Sequence, residues 1–257
     1  LPFLMTLYLI GIGLNDEKDI SIKGLEIIRI CDVVYLENYS SLLNCSIPDL
    51  EKFYGKKVIA ADRKLVEQSE ELITAAANKN VALLVIGDPW GATTHIDIML
   101  RCRAKSIPFK VINNASIITA VGITGLQIYK FGKTTSVPYP DKNFRPETAY
   151  EVINQNRMLG LHTLLLLDIR PDLGKFMTVA EAIDILLEIE SKKQRRAFTQ
   201  ETLCVGCARI GNEDFVIKAA AAKDLKNMDF GKQPHCLIVP GELHFVEEDA
   251  LRQWKQN

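Results

Sequence analysis

The stretch that most constrains the fold is 81–95, where an unbroken apolar run, VALLVIGD, passes directly into the turn GDPWG and then toward a helix. A run that is apolar at every position suits a strand covered on both faces, as in a parallel sheet flanked by helices. In such sheets ligands sit at the carboxyl ends of the strands, where the backbone turns tightly and exposes its N–H groups. Gly87 and Gly91 permit the turn, Pro89 stiffens it, and Asp88 offers a carboxylate at the rim. Thr93 or Thr94 is the expected cap of the following helix. An ordinary connection from strand to helix uses the same residue types, so on this stretch alone a structural role stands beside a ligand site.

The alternation continues on both sides. Strand-like runs at 7–12, 32–36, 58–60, 81–86 and 109–112 are separated by helix-like segments. The first of these starts at Asp19 or Ser21, with Ile22, Leu25, Ile28 and Ile30 or Cys31 as its apolar face; others span 66–78 and 94–105. This predicts a parallel, helix-covered sheet. Farther on, 115–129, 146–159 and 178–191 read as helices, and 135–137 and 163–167 as strands. The runs 203–209, 215–219 and 236–239, with GN and PG turn signals between them, point to a mixed or antiparallel sheet. With 257 residues, 47% of them hydrophobic, two compact domains fit the chain. The expected boundary divides an N-terminal α/β domain, 1–114, with a mostly parallel sheet from a C-terminal α/β domain, 115–257, with a mixed one.

A net charge of −1 and a pI near 6.5 give no bulk attraction to nucleic acid or to an anionic membrane. The apolar opening lacks a basic flank and reads as a buried strand instead of a signal or a span, with Met5 as the natural start and Leu1–Leu4 ahead of it. Six scattered cysteines suit a reducing, cytoplasmic setting. Cys204 and Cys207 form a CxxC, but in a strand they point to opposite faces, and no second pair follows to complete a zinc site. SKKQRR at 191–196 places cations at the negative end of a helix.

GIG at 11–13 lacks the third glycine of a dinucleotide fingerprint, and GDPWG lacks the GK[ST] ending of a triphosphate cradle. His95, His162, His235 and His244 lie in four separate segments and make no metal site by spacing. What remains is a set of strand ends turning through Gly, Asp, Asn, Ser or His, which together can hold a base, a ribose and a small polar tail.

Several motifs, in order, carry a resemblance: LYLIGIGLNDEKDISIKGLE, VYLENYSS, ADR at 61–63, GDPWGATTH, NNASI, GLQIYKFG, LGLHTLLLLDI, ETLCVGCARIG and PHCLIVPGELHF. Together they resemble the diphthine synthases of the tetrapyrrole-methylase superfamily over nearly the whole chain. The resemblance implies two α/β domains with S-adenosylmethionine in the interdomain cleft and S-adenosylhomocysteine as product. It carries the cofactor contacts onto Leu14, Asp88, Gly91, Ser116, Ile117, Leu167, Ile210 and His235, with no metal and no assigned catalytic residue. Leu167 and Ile210, read without the family, are ordinary core residues.

The implied substrate is the 3-amino-3-carboxypropyl histidine of translation elongation factor 2. The implied chemistry is repeated methylation of one amine, with the eukaryotic-type enzymes also methylating the carboxylate for four transfers and the archaeal type stopping at three. The close match of GDPWGATTH and ETLCVGCARIG favours the eukaryotic type. A homodimer is implied, with no nucleic acid or membrane partner. Lys130, Lys133 and Arg145 are candidate cations for the substrate's acidic group, against a reading as solvated surface charge. Methylation of a small tetrapyrrole or corrin on the same fold, and a noncatalytic binding module, are the rival functions. Two departures stand out. Trp90 replaces a usual Phe, and the chain passes from Ile169 to Met177 in a few residues where relatives carry a longer basic and aromatic insertion, so that either the loop is short or a segment is missing.

Overall fold

A computed structural model describes residues 5–91, 94–141 and 146–255. Leu1–Leu4, Thr93 and Arg145 therefore lie outside the described residues. The chain divides into two compact units, Leu1–Ile118 and Thr119–Asn257.

In the first unit the strands β1 (Leu7–Gly11), β2 (Val33–Glu37), β3 (Ile59–Ala61), β4 (Val81–Val85) and β5 (Phe109–Ile112) alternate with helices α1 (Ile22–Ile30), α2 (Ile47–Tyr54), α3 (Glu71–Ala76) and α4 (Ile96–Ala104). The sheet order is β3-β2-β4-β1-β5, with every pairing parallel. Both faces are covered, which is why β1 and β4 are apolar throughout. Tyr8, Ile10, Val34, Leu36, Ala82 and Leu84 pack with Ile28 of α1 and with Leu50 and Tyr54 of α2. The alternate residues Leu7, Leu9, Tyr35, Leu83 and Val85 pack with Leu72 and Ile73 of α3 and with Ile98 and Cys102 of α4.

Several local expectations are settled or corrected. Helix α2 was not anticipated; a Ser46–Asp49 capping box starts it. Of the alternatives for α1, Ser21 is the cap and Cys31 is the buried residue at its end; Ile28 is buried and Leu25 packs against the core as expected, whereas Ile22 is exposed. The helix expected over 66–78 is instead a π-helical turn, Lys64–Gln68, followed by α3, with Ser69 extended between them. Arg101 holds that break by donating to the carbonyls of Ser69 and Val66, both at 2.8 Å. Thr94 does not cap α4: His95 occupies the N-cap position, and the Thr94 hydroxyl donates to Glu67 at 3.2 Å.

The long helix expected over 115–129 is broken into α5 (Ile117–Ala120) and two single 3-10 turns, Val121–Thr124 and Ile128–Lys130. Gly125 explains the break, because it takes a left-handed φ of 91° and a Cβ there would collide with Ala250.

The second unit contains β6 (Thr135–Val137), α6 (Thr148–Met158), β7 (Thr163–Leu167), the short hairpin β8 (Ile169–Arg170) and β9 (Lys175–Phe176), and α7 (Val179–Lys193). It continues with β10 (Leu203–Ala208), β11 (Val216–Ala221), α8 (Ala222–Leu225), β12 (His235–Val239) and α9 (Phe245–Arg252). Its mixed sheet has the order β11-β10-β12-β7-β6, with β6–β7 parallel and the other pairings antiparallel. One face packs on α6, α7 and α8 through Leu165, Leu237, Ile153, Leu186 and Leu225. Cys204 joins that core, whereas Cys207 stands opposite Cys236 on the neighbouring strand, and all six cysteines are free. Lys193, in the last turn of α7, pairs with Glu147 at 2.5 Å and with Glu151 at 3.5 Å.

Candidate functional site

Because the first sheet is parallel, β4, β1 and β5, neighbours in that order, end on one edge. Their turns are tied together by hydrogen bonds. Gly87 N–H donates to Gly13 O at 2.7 Å and Gly13 N–H to Gly87 O at 3.4 Å, each glycine at a φ of 83°. Asp88 Oδ1 accepts from Trp90 N–H at 2.9 Å, and its Oδ2 accepts from Asn113 Nδ2 and Asn114 N–H, both at 3.0 Å. Asn114 Nδ2 then donates to Gly11 O and Asp19 O at 3.0 Å each. Asp19 Oδ2 accepts from Leu14 N–H at 3.0 Å and from Asn15 N–H at 2.7 Å.

The packing there is tight. A Cβ on Gly11 would lie 2.6 Å from Gly87 O, and one on Gly91 would run into Ser116 Oγ. Leu14, Asp88, Gly91, Ser116 and Ile117 are thus gathered onto turns at one sheet edge. At Asp88, expected to offer a carboxylate at the rim, three protein donors already occupy the group, leaving about one of its four lone-pair sites. Sequence reasoning missed Asp19 and Asn114 as the residues that organise the turns, although Asn114 lies within NNASI. Behind the turn, His95 and Glu37 form a buried pair, with ring Nε2 at 3.2 Å from Glu37 Oε2 and ring Nδ1 at 3.3 Å from Pro89 O.

In the second unit, β12 begins at His235, which stands opposite Ala208 of β10, one step before the Cys236–Leu166 pair. This places His235, Leu167 at the end of β7, and Ile210 just past β10 at one end of that sheet. All three are buried, and Leu167 also belongs to the core. His235 Nε2 lies 3.2 Å from Gly231 O and 3.1 Å from Lys232 O, while its Nδ1 has no partner among the described residues. Burial holds its pKa below the usual value despite the two carbonyls, so the ring is neutral, with Nε2–H donating and Nδ1 left as an acceptor.

Arg209 braces this end. Its guanidinium donates to Asp214 Oδ2 at 2.9 Å, Asp214 O at 2.8 Å, Phe230 O at 3.0 Å and Lys232 O. Of the candidate substrate cations, Lys130 is corrected: its ammonium is bound to Glu247 at 2.5 Å and to Glu242 O at 2.6 Å, so it serves the scaffold. Lys133 is exposed.

Comparison of the whole chain with known proteins shows its family. The sequence profile of the Tetrapyrrole (Corrin/Porphyrin) Methylases matches residues 6–225. The chain is 43% identical over 269 residues to the diphthine methyl ester synthase of Dictyostelium discoideum, covering 98% of each. It is 45% identical over 253 residues to the diphthine synthase of Methanococcus maripaludis strain C7, covering 98% of this chain and 99% of the relative. A crystal structure of a diphthine synthase superposes with a TM-score of 0.89 at 40% identity, over 97% of this chain and 96% of that one. The chain therefore belongs to the tetrapyrrole methylases and, within them, to the diphthine synthases, the methyltransferases of diphthamide biosynthesis.

Proposed function

We propose that the chain moves methyl groups from S-adenosylmethionine to the 3-amino-3-carboxypropyl histidine of translation elongation factor 2, repeatedly to the amine and once to the carboxylate, four transfers in all. The observation that carries this reading is the set of joined strand ends in the first unit, which unites Leu14, Asp88, Gly91, Ser116 and Ile117. These residues fit a nucleoside with a charged tail. Gly11 and Gly91 stand where a Cβ would clash, so the backbone keeps its close approach, and the turns present polar backbone at the carboxyl edge of the sheet. Leu167, Ile210 and His235 are the further contacts carried by the family resemblance. The unpartnered His235 Nδ1 suits them, being an acceptor for an amino group.

When bound, S-adenosylmethionine supplies a methyl group on a sulfonium, open to in-line displacement by the lone pair of an amine. The residues of the chain hold and orient, and no side-chain nucleophile is required. Each transfer to nitrogen needs the substrate ammonium to have passed a proton to a carboxylate or to water, whereas the transfer to the carboxylate needs no such loss.

We further expect a homodimer in a cytoplasmic setting. Light scattering at micromolar concentration should give about twice 28.8 kDa, and a monomeric mass contradicts the dimer. Among the described residues no helix is long and apolar enough to cross a membrane.

The decisive test is mass spectrometry of elongation factor 2 incubated with the chain and S-adenosylmethionine. Four methyl additions are expected on the carboxypropylated factor and none on the unmodified one, which offers no primary amine. Equal methylation of both defeats the proposed specificity, and no transfer to the modified factor defeats the function. Three additions would instead place the chain with the archaeal-type enzymes. That second reading has its own support: β8 and β9 close a short hairpin, and alignment to the Methanococcus relative needs 253 positions, against 269 for Dictyostelium, to cover the same 98% of the chain.

A further inference from the structure

Glu37 is the last residue of β2 and 1% exposed; His95 precedes α4 and is 2% exposed. A buried carboxylate ordinarily collects donors. Glu37 does not: neither oxygen has a well-formed hydrogen bond among the described residues, and its one polar contact is the off-line approach of His95 Nε2 at 3.2 Å. The other ring nitrogen, Nδ1, lies 3.3 Å from Pro89 O. Both nitrogens of His95 thus face acceptors. A neutral ring carries one N–H and one lone pair, so beside an ionised Glu37 it would turn a lone pair toward an acceptor. The arrangement that serves the turn is the one with the N–H on Nδ1, which donates to the Pro89 carbonyl.

The setting of Pro89 gives that contact its meaning. On one side the turn is tied through Asp88 to Asn113 and Asn114 after β5. The N–H groups of Trp90 and Gly91 are used within the turn itself, on Asp88 Oδ1 at 2.9 Å and Asp88 O at 3.0 Å. His95 reaches the same turn from the opposite side, backed by β2. We propose that the Glu37–His95 pair is a positioning device for the methyl-transfer site: by holding the Pro89 carbonyl it sets how Asp88 and Gly91 are presented to the cofactor. The inference rests on the reading of 87–91 as part of the S-adenosylmethionine site.

The test compares the parent chain with His95→Ala, Glu37→Ala and Glu37→Gln, by calorimetry with S-adenosylhomocysteine and by initial rates at varied S-adenosylmethionine. His95→Ala is expected to raise the cofactor Kd and KM about tenfold while the KM for the protein substrate stays within about twofold. Glu37→Ala should follow the same direction. Glu37→Gln should recover most of the loss, because its amide can donate to Nε2 while Nδ1–H stays on Pro89. A role in packing alone lowers Tm without moving the Kd of the folded protein.

Long-range proton–nitrogen spectra supply the signature, a proton on Nδ1 of His95 in the parent chain. A ring protonated on Nε2 alone, or a folded His95→Ala with the parental Kd, overturns the inference. Should His95→Ala not fold, His95→Asn keeps an N–H near the Nδ1 position, and its Kd should stay within about threefold of the parent; a tenfold rise overturns the inference. If the parent itself binds neither form of the cofactor, the cofactor reading of the turn falls and this inference with it. Parental binding with an unaffected His95→Ala removes only the inference.

Discussion

Among the described residues, each unit of the molecule buries a glutamate–histidine pair, and the two pairs are satisfied very differently. In the second unit Glu247 is fully buried and accepts from Gln127 N–H at 2.8 Å, Lys130 Nζ at 2.5 Å, His162 Nε2 at 2.9 Å and His244 N–H at 2.8 Å. His162 completes the network by accepting from Gly241 N–H on Nδ1 at 2.9 Å, so the ring is a neutral donor to Glu247. Burial pushes the Glu247 carboxyl up, but the His244 N–H, the Lys130 ammonium, the Gln127 N–H and His162 together bring it down to about 2. In the first unit Glu37 has a single poor contact. A carboxylate with every lone pair matched locks loops together, whereas one left under-satisfied adds little to stability.

The largest expected effect follows from the locked pair. Glu247→Ala leaves Lys130 and His162 without their carboxylate and should cost about 3–5 kcal/mol, measured by denaturant unfolding. Glu37→Ala should cost only about 1–2 kcal/mol. Equal losses would break the comparison.

The pH dependence sharpens it. The Glu247 carboxyl is depressed from its usual 4.5 to about 2, so the stability it contributes is fully present above 4.5 and is lost as pH falls toward 2. The shift corresponds to about 3 kcal/mol. His162 acts in the same direction: burial lowers its pKa despite the partnership with Glu247, so acid below its usual 6.5 favours the unfolded chain, which takes up the proton first. Unfolding followed from pH 7 to 2 should show this acid loss in the parent and a flatter profile in Glu247→Ala. Identical profiles would remove the network as its source.

At the turn proposed to hold the cofactor, Asp88→Ala should weaken S-adenosylhomocysteine binding by about 1.5–3 kcal/mol, since it removes charge-assisted bonds that join the β4 and β5 turns. Asp168→Ala should weaken it less. Asp168 accepts from Tyr139 N–H at 3.0 Å and from Arg170 at 3.1 Å, contacts that brace the β6 and β8 ends. Calorimetry ranks the two, and an unchanged affinity in Asp88→Ala takes that residue out of the site.

The smallest expected effect is none. Chelation by EDTA should leave methyl transfer intact, because among the described residues no group of three or more His, Cys, Asp or Glu side chains could hold a metal ion. Activity lost in EDTA and restored by zinc or magnesium contradicts this.

Local residue patterns determined a good deal of this molecule. Two-sided burial writes itself into the sequence as unbroken apolar runs, so β1 and β4 were legible from LYLIG and VALLV, and the sheet as parallel. Motif order identified the family and named Leu14, Asp88, Gly91, Ser116 and Ile117 as the residues to look for. Helix continuity was less legible: Gly125 breaks 115–129 because Ala250, 125 residues later in number, packs against it.

The joining of the site was decided only by tertiary structure. Asp88 meets Asn114 from 26 residues away, Asn114 meets Gly11 from 103, and Lys130 meets Glu247 from 117. Such pairings depend on strand order, which places β1 between β4 and β5 and β2 beside β4. No local periodicity encodes that order, because the same alternation of strand and helix is compatible with many arrangements of the same strands. That is why the sequence placed the Asp88 carboxylate at the rim without showing that it ties two turns together, and why Glu37 and His95 gave no sign in sequence of standing together.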